Sequence, residues 1–136
     1  MKKIVVLVFI CFMFSSLSAF ASEWAEVCYK IYIKVEKTQG DKVFYWQKAL
    51  NNGEMKPIRK QKINYNMAYL IDNCSQSTTG ILAMYIYGFN NSPIESYTSS
   101  SYNNPEYIRF EPIIPQTIGE SIHKYVCSYN TNSNNE

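Results

Sequence analysis

Hydrophobic and polar residues alternate along much of the chain. In residues 27–36 the odd positions are apolar or aromatic and the even positions are mostly polar, which is typical of a strand with one buried face. Residues 42–50, 63–74 and 106–114 fit further strands, and residues 81–89 form the most apolar of these runs, as expected of a strand at the centre of a sheet. The pattern therefore predicts a β-rich domain.

Short groups of turn-forming residues separate the predicted strands. They occupy residues 39–41, 51–53, 77–80 and 90–93 and contain Gly, Asn, Asp, Ser or Pro, which favour turns because they tolerate positive φ, fix φ or hydrogen-bond to the nearby backbone. Residues 96–105 are rich in Ser, Tyr and Asn and end on a proline. We predict a mobile loop there.

A helix is predicted after the last strand. Thr117 is followed three residues later by Glu120, the spacing of a capping box in which each side chain binds the backbone N–H of the other residue. The apolar residues that follow have the spacing of one helix face: Ile118, Ile122, Tyr125 and Val126. The chain then becomes polar and rich in Asn, so residues 130–136 are predicted to be a disordered tail.

The N-terminal segment has the pattern of a secretory signal peptide. Lys2 and Lys3 precede an apolar run over residues 4–14, and Ala19 and Ala21 supply the small residues that a signal peptidase requires. We therefore predict that residues 1–21 are removed and that residues 22–129 form one domain. The apolar run is too short for a stable transmembrane helix and no second one follows, so we predict an exported protein without a transmembrane segment.

Charge is spread unevenly along the predicted mature chain. The sequence has 13 basic and 11 acidic residues, and removal of Lys2 and Lys3 would leave the two in balance. This balance, together with export, argues against nucleic-acid binding, which needs a basic surplus. The basic residues are concentrated between residues 30 and 62, an asymmetry that could make one face basic and suit an acidic partner or an anionic surface. The alternative interpretation is a set of solvated strand faces.

Two segments are candidate sites for binding a protein partner. The first is a basic segment with four cations: Lys56, Arg59, Lys60 and Lys62. Its alternative interpretation is a solvated, charged edge that prevents sheets from aggregating. The second is the tyrosine-rich loop around Tyr97 and Tyr102, for which the alternative is ordinary loop composition without a binding role.

Few residues are available for catalysis. His123, the single histidine, has no second His, Cys or Asp at metal-ligand spacing, and we interpret it as a surface residue of the predicted helix. Cys127 follows it by four residues, which places both on one helix face, but a disulfide at Cys127 would remove the thiol that a Cys–His pair needs. We predict a non-enzymatic protein without a metal or another cofactor.

Three cysteines would remain after signal-peptide removal, because Cys11 would leave with it. They are Cys28, Cys74 and Cys127. Export into an oxidising compartment predicts one disulfide and one leftover thiol. The positions of the cysteines alone leave all three pairings open.

Several motifs occur together in a pattern that is known from one protein family. Residues 71–74 (IDNC) end a predicted strand on a cysteine, and residues 90–93 (NNSP) form the turn after the most apolar strand. Residues 114–121 (IPQTIGES) then lead to residues 124–127 (KYVC). With looser matches at Trp24 and in the aromatic strand after the first turn, the chain resembles the surface-adhesin E family, small exported domains of Gram-negative bacteria.

This resemblance implies an α+β fold that is mainly β. An antiparallel sheet of about five or six strands would carry the C-terminal helix on one face. The resemblance also implies a disulfide between Cys74 and Cys127. Cys28 is then expected to be free, and the alternation along its strand would place it on the opposite strand face from Val27 and Tyr29.

The resemblance also implies a function. Members of the family bind host matrix proteins such as vitronectin and laminin, which implies a non-enzymatic, adhesin-like domain with a protein partner. A homodimer is a further possibility that the sequence leaves undecided. The alternative is a soluble periplasmic protein that acts as an inhibitor or as an accessory in envelope assembly. The predicted location is accordingly the periplasm or the cell surface.

Overall fold

The computed structural model describes residues 23–133. The predicted signal peptide, residues 1–21, lies outside the described residues. The described part contains seven strands and one long helix: β1 (Ala25–Cys28), β2 (Ile31–Gln39), β3 (Lys42–Leu50), β4 (Ile63–Asn73), β5 (Thr78–Gly88), β6 (Pro93–Thr98), β7 (Glu111–Pro112) and α1 (Ile118–Ser133). No helix within residues 23–133 combines the length and hydrophobicity needed to cross a membrane.

The strands form one antiparallel sheet in chain order. Strands β1 to β5 each pair with the next one along the chain, and β7 pairs with β5 beside β6. Such a meander needs only hairpin connections, which suits strands separated by short polar turns. The predicted fold class, a mainly β fold with an antiparallel sheet and a C-terminal helix, is confirmed.

The first predicted strand is two strands. Tyr29 and Lys30 form a tight turn, and β1 pairs with β2 so that Ala25 lies opposite Ile33. The period-two alternation continues through this turn, which contains no Gly, Asn or Pro; Lys30 instead adopts positive φ (61°). Tyr29 is 77% exposed, so the apolar alternation predicted over residues 27–36 does not bury it.

The second half of the sheet differs from the prediction at its edge. Strand β5 begins at Thr78, inside the predicted loop 77–80, and β6 includes residues 96–98 of the predicted mobile loop. Because β6 is an edge strand with little burial, no apolar alternation marks it. Residues 106–114 contain only the two-residue β7 and part of a 3₁₀ turn.

The core has two layers, one on each side of the sheet. Alternate residues of β3 enter different layers. The first side, called the helix face, packs against Ile122 and Val126 of α1. Its buried sheet residues are Ile33, Val43, Tyr45, Ala68 and Leu70. The second side, called the aromatic face, is partly covered by Ile108 and includes Phe44, Tyr69, Ile71, Leu82 and Ala83.

The structure confirms Thr117 as the N-cap of the helix, but the Glu120 carboxylate accepts a hydrogen bond from Lys124 Nζ at 3.2 Å instead of completing the predicted capping box. The Thr117 hydroxyl accepts a hydrogen bond from the Glu120 backbone N–H at 3.3 Å. The buried stripe starts at Ile122 instead of Ile118, which is 56% exposed. The helix continues to Ser133, so the boundary predicted at residue 129 lies inside it, and residues 134–136 lie outside the described part.

Candidate binding surface and buried polar network

Three connections of the meander lie at the same end of the sheet. They are the β1–β2 turn, residues 51–62 between β3 and β4, and residues 89–92 between β5 and β6. A backbone hydrogen bond joins the β1–β2 turn to the end of β3, with the Leu50 N–H donating to the Lys30 carbonyl at 2.9 Å. We call the cations of these connections the basic end: Lys30, Lys56, Arg59, Lys60 and Lys62. All except Lys30 are exposed, so the predicted basic segment is accessible to a partner.

The tip of the β3–β4 connection is a two-residue turn with an unusual sequence. Ile58 and Gln61 exchange two backbone hydrogen bonds with N···O distances of 3.1 and 2.9 Å. Between them, Arg59 and Lys60 both have positive φ, 49° and 67°, as in the hairpin turn that strongly prefers Asn-Gly. Any residue other than Gly lowers the stability of the fold by about 1 kcal/mol or more at such a position, because its Cβ atom is crowded there. The loop therefore carries two cations in a strained backbone.

We expect replacement of Arg59 by Asn together with Lys60 by Gly to stabilise the protein. The free energy of unfolding should rise by about 1–2 kcal/mol because both positions would be relieved of strain. Urea denaturation followed by circular dichroism measures this change. The control, Lys56→Asn with Lys62→Asn, removes the same charge at positions without positive φ. An equal gain in the control would assign the effect to charge and contradict the strain argument.

The two predicted tyrosines lie in different parts of the fold. Arg59 reaches β6, where its guanidinium lies 3.9 Å from the Glu95 carboxylate in an exposed pair, which contributes little stability. Tyr97 lies two residues further along β6 and is 56% exposed. Tyr102 instead lies on the aromatic face, with its ring centroid 6.1 Å from that of Tyr69. Arg59 thus contacts β6 at Glu95, whereas Tyr97 lines a pocket with Thr79 and Arg109 near the opposite end of β5.

The aromatic face carries neighbouring rings that sequence analysis did not identify as a site. Trp46 stacks on Tyr69 with centroids 4.7 Å apart, and Tyr65 stacks on Tyr87 at 4.9 Å. The Lys48 ammonium lies 4.5 Å from the Tyr65 ring centroid, within the range of a cation–π interaction. These side chains, apart from the buried Tyr69, are half-buried. They offer ring and ammonium groups next to the basic end.

Two hydrogen bonds hold tyrosines of this face in place. The Tyr65 hydroxyl donates to the side-chain oxygen of Asn91, in the β5–β6 turn, at 3.1 Å. The Tyr69 hydroxyl donates to the Glu36 carboxylate on β2. Burial, followed by this hydrogen bond, raises the pKa of Tyr69 well above its ordinary value.

His123 is buried, so the prediction that it is a surface residue is wrong. Its neighbour Ile122 faces the sheet, and the helix turns His123 toward the end of β4. His123 is 8% exposed, and its Nδ1 lies 2.7 Å from Oδ2 of the fully buried Asp72. The Tyr45 hydroxyl donates to the other oxygen, Oδ1, at 3.0 Å. Burial, followed by the charge of Asp72, raises the pKa of Tyr45 well above its ordinary range. We call these three residues the buried polar network.

The predicted disulfide is confirmed. Cys74 and Cys127 are bonded with their Cα atoms 5.7 Å apart, and Cys28 is free and half-buried. The bridge fastens α1 to the end of β4, where Cys127 Sγ lies 3.7 Å from Nε2 of His123. The disulfide and the buried polar network therefore meet. Within residues 23–133, no three or more His, Cys, Asp or Glu side chains are grouped so that they could hold a metal ion.

Comparison with known proteins identifies the fold. No family model matches the chain, and no curated protein matches it. Among solved structures, the chain is similar to Protein E from non-typeable Haemophilus influenzae, with a TM-score of 0.50 and 12% sequence identity over 76% of this chain and 73% of that chain. The chain shares its fold with Protein E. At this identity the likeness shows the fold alone, so membership in the surface-adhesin E family stays a prediction.

Proposed function

We propose that this chain is an exported, non-enzymatic, adhesin-like domain that binds a protein partner through the basic end. The observation that carries the proposal is the turn at Arg59 and Lys60, where two cations occupy positive-φ positions that Asn-Gly would occupy at lower cost. Strain retained in the backbone is a pointer to function. The disulfide supports export, because disulfides persist in oxidising compartments.

The chemistry of the surface supports an acidic protein as the partner. Arginine and aromatic side chains are enriched where proteins bind one another, and Lys48 and Tyr65 of the aromatic face lie close to the ends of β3 and β4 that the basic segment connects. Cations at the tip of a loop accelerate association with an acidic surface. Host matrix proteins such as vitronectin and laminin are the partners we propose to test first.

Charge reversal at Lys60→Glu with Lys62→Glu is expected to weaken binding to such a partner by roughly tenfold at low salt. Both residues are exposed, so the free energy of unfolding should change by no more than about 0.5 kcal/mol. Surface plasmon resonance of the full chain, purified in its disulfide-bonded form, on immobilised vitronectin and laminin measures the effect.

The matched control places the same charge change at the opposite end of the sheet. Lys37→Glu with Lys42→Glu alters the residues that flank the β2–β3 turn. Binding should then fall much less. Equal weakening by both pairs would indicate a net-charge effect, and unchanged binding by the first pair would remove the basic segment from the binding site.

Protease treatment of intact cells separates the two proposed locations. Loss of the protein, detected with an antibody to its C-terminal residues, supports a surface adhesin. Protection of the protein, with loss only after the outer membrane is permeabilised, supports the alternative of a periplasmic inhibitor or assembly accessory. Binding to purified matrix proteins without surface exposure would contradict an adhesin role.

A further inference from the structure

The buried polar network lies directly against the disulfide. Cys127 Sγ is 3.8 Å from Nδ1 and 3.7 Å from Nε2 of His123, so the sulfur contacts the imidazole ring. Asp72 binds the same ring at 2.7 Å, and Tyr45 binds Asp72 in turn. Two residues of the sheet therefore fix an imidazole beside a disulfide sulfur.

The buried polar network is not needed to hold the helix on the sheet. Burying a carboxylate is costly, and replacing buried charged groups by apolar residues of similar volume is often neutral or stabilising. On the same helix, Ile122 and Val126 already pack into the apolar core. The location of the polar residues, in contact with Cys127, points to a role in the chemistry of the sulfur.

The two disulfide cysteines are partly exposed at the edge of the core, whereas their polar neighbours are buried. Cys74 and Cys127 are half-buried, and Cys74 is followed by the exposed residues 75–77. Asp72 and His123 are buried behind them. A small thiol can therefore approach Cys74 from solvent while the imidazole stays in a protected environment, where electrostatic interactions are strong.

We propose that the Cys74–Cys127 disulfide is a reversible exchange site for low-molecular-weight thiols, with His123 and Asp72 as positioning residues. An incoming thiolate attacks Cys74 Sγ, the bond to Cys127 breaks, and the electron pair of that bond leaves on Cys127 Sγ. A second thiolate attacks the sulfur of the first small thiol in the mixed disulfide, the bond to Cys74 breaks with its electron pair leaving on Cys74 Sγ, and the two small thiols leave as a low-molecular-weight disulfide. The two protons of the thiols remain with the reduced protein, in which His123 lies beside Cys127.

The polar network favours this reaction by stabilising the reduced state. An adjacent protonated imidazole stabilises a thiolate and makes it a better leaving group. A disulfide whose reduced form is stabilised is a stronger oxidant. The site goes beyond the proposed binding function, because it lies between β4 and α1 and uses none of the residues of the basic end.

Equilibration of the full chain with glutathione redox mixtures at neutral pH tests the proposal. The Cys28→Ser background removes the free thiol, and acid quenching, alkylation and mass spectrometry then count reduced and oxidised protein. We expect His123→Gln to lower the equilibrium constant for reduction by roughly tenfold. In the reduced His123→Gln variant, the ultraviolet absorbance that is characteristic of a thiolate should also be lower than in the reduced parent protein.

The sign of the change separates this role from a purely structural one. A variant that only loosens the fold makes its disulfide easier to reduce, because the bridge then protects less structure. Ile122→Val is the control, since it removes one buried methyl group next to His123 without changing charge. Easier or unchanged reduction of His123→Gln, or a reduced protein that has lost its folded circular dichroism spectrum, would overturn the proposal.

Discussion

Asp72→Ala is expected to lower the free energy of unfolding by about 3–5 kcal/mol. The change leaves the Tyr45 hydroxyl and the His123 ring buried without their acceptor, and unpaired buried polar groups are costly. Asp72 is fully buried and lies between β3 and α1, so water cannot replace it without opening the core. Urea denaturation followed by circular dichroism measures the loss.

Two further variants test the cause of that loss. Asp41→Ala removes an exposed aspartate whose carboxylate accepts a hydrogen bond from the Ser75 hydroxyl. This change should lower the free energy of unfolding by no more than about 1 kcal/mol. Asp72→Asn keeps an acceptor oxygen for one of the two neighbours and should give an intermediate value. A cost for Asp72→Ala equal to that of Asp41→Ala would show that the network does not stabilise the fold.

Removal of the disulfide by Cys74→Ser with Cys127→Ser should cost about 4 kcal/mol. The bridge closes a sequence separation of 53 residues, and the unfolded chain regains the corresponding loop entropy when the bridge is absent. Cys28→Ser is the control and should change stability by less than about 1 kcal/mol, because Cys28 is free. Thermal unfolding of all variants without reductant measures the effect; equal melting temperatures would contradict it.

Local signals predicted those parts of the fold that depend on local chemistry. Strand β3 has the predicted bounds, Lys42–Leu50, because turn residues flank a clear alternation. Thr117 caps α1 as predicted. The β1–β2 turn was missed because Lys30 adopts positive φ, which its residue type does not favour. Strand β6 was missed because an edge strand needs no apolar side.

The candidate site could be predicted only in part. Charge density along the chain identified Lys56, Arg59, Lys60 and Lys62, since these residues are close in sequence. The backbone strain of the Arg59-Lys60 turn has no sequence signal. The four-residue spacing of His123 and Cys127 was visible, but their neighbour Asp72 lies 51 residues from His123, and only the docking of α1 on β4 brings them together.

The chain-order pairing of the strands also determines how the protein can assemble as it emerges N-terminus first. Each strand from β2 to β6 pairs with one that has already emerged, so no strand waits for a distant partner and the sheet can grow vectorially. Helix α1 comes last. Docking of α1 covers the helix face, places His123 beside Asp72 and brings Cys127 to Cys74. Oxidation of the two thiols therefore follows the docking of α1, and a thiol oxidase that acts on them acts on a domain that already has its sheet and its helix in place.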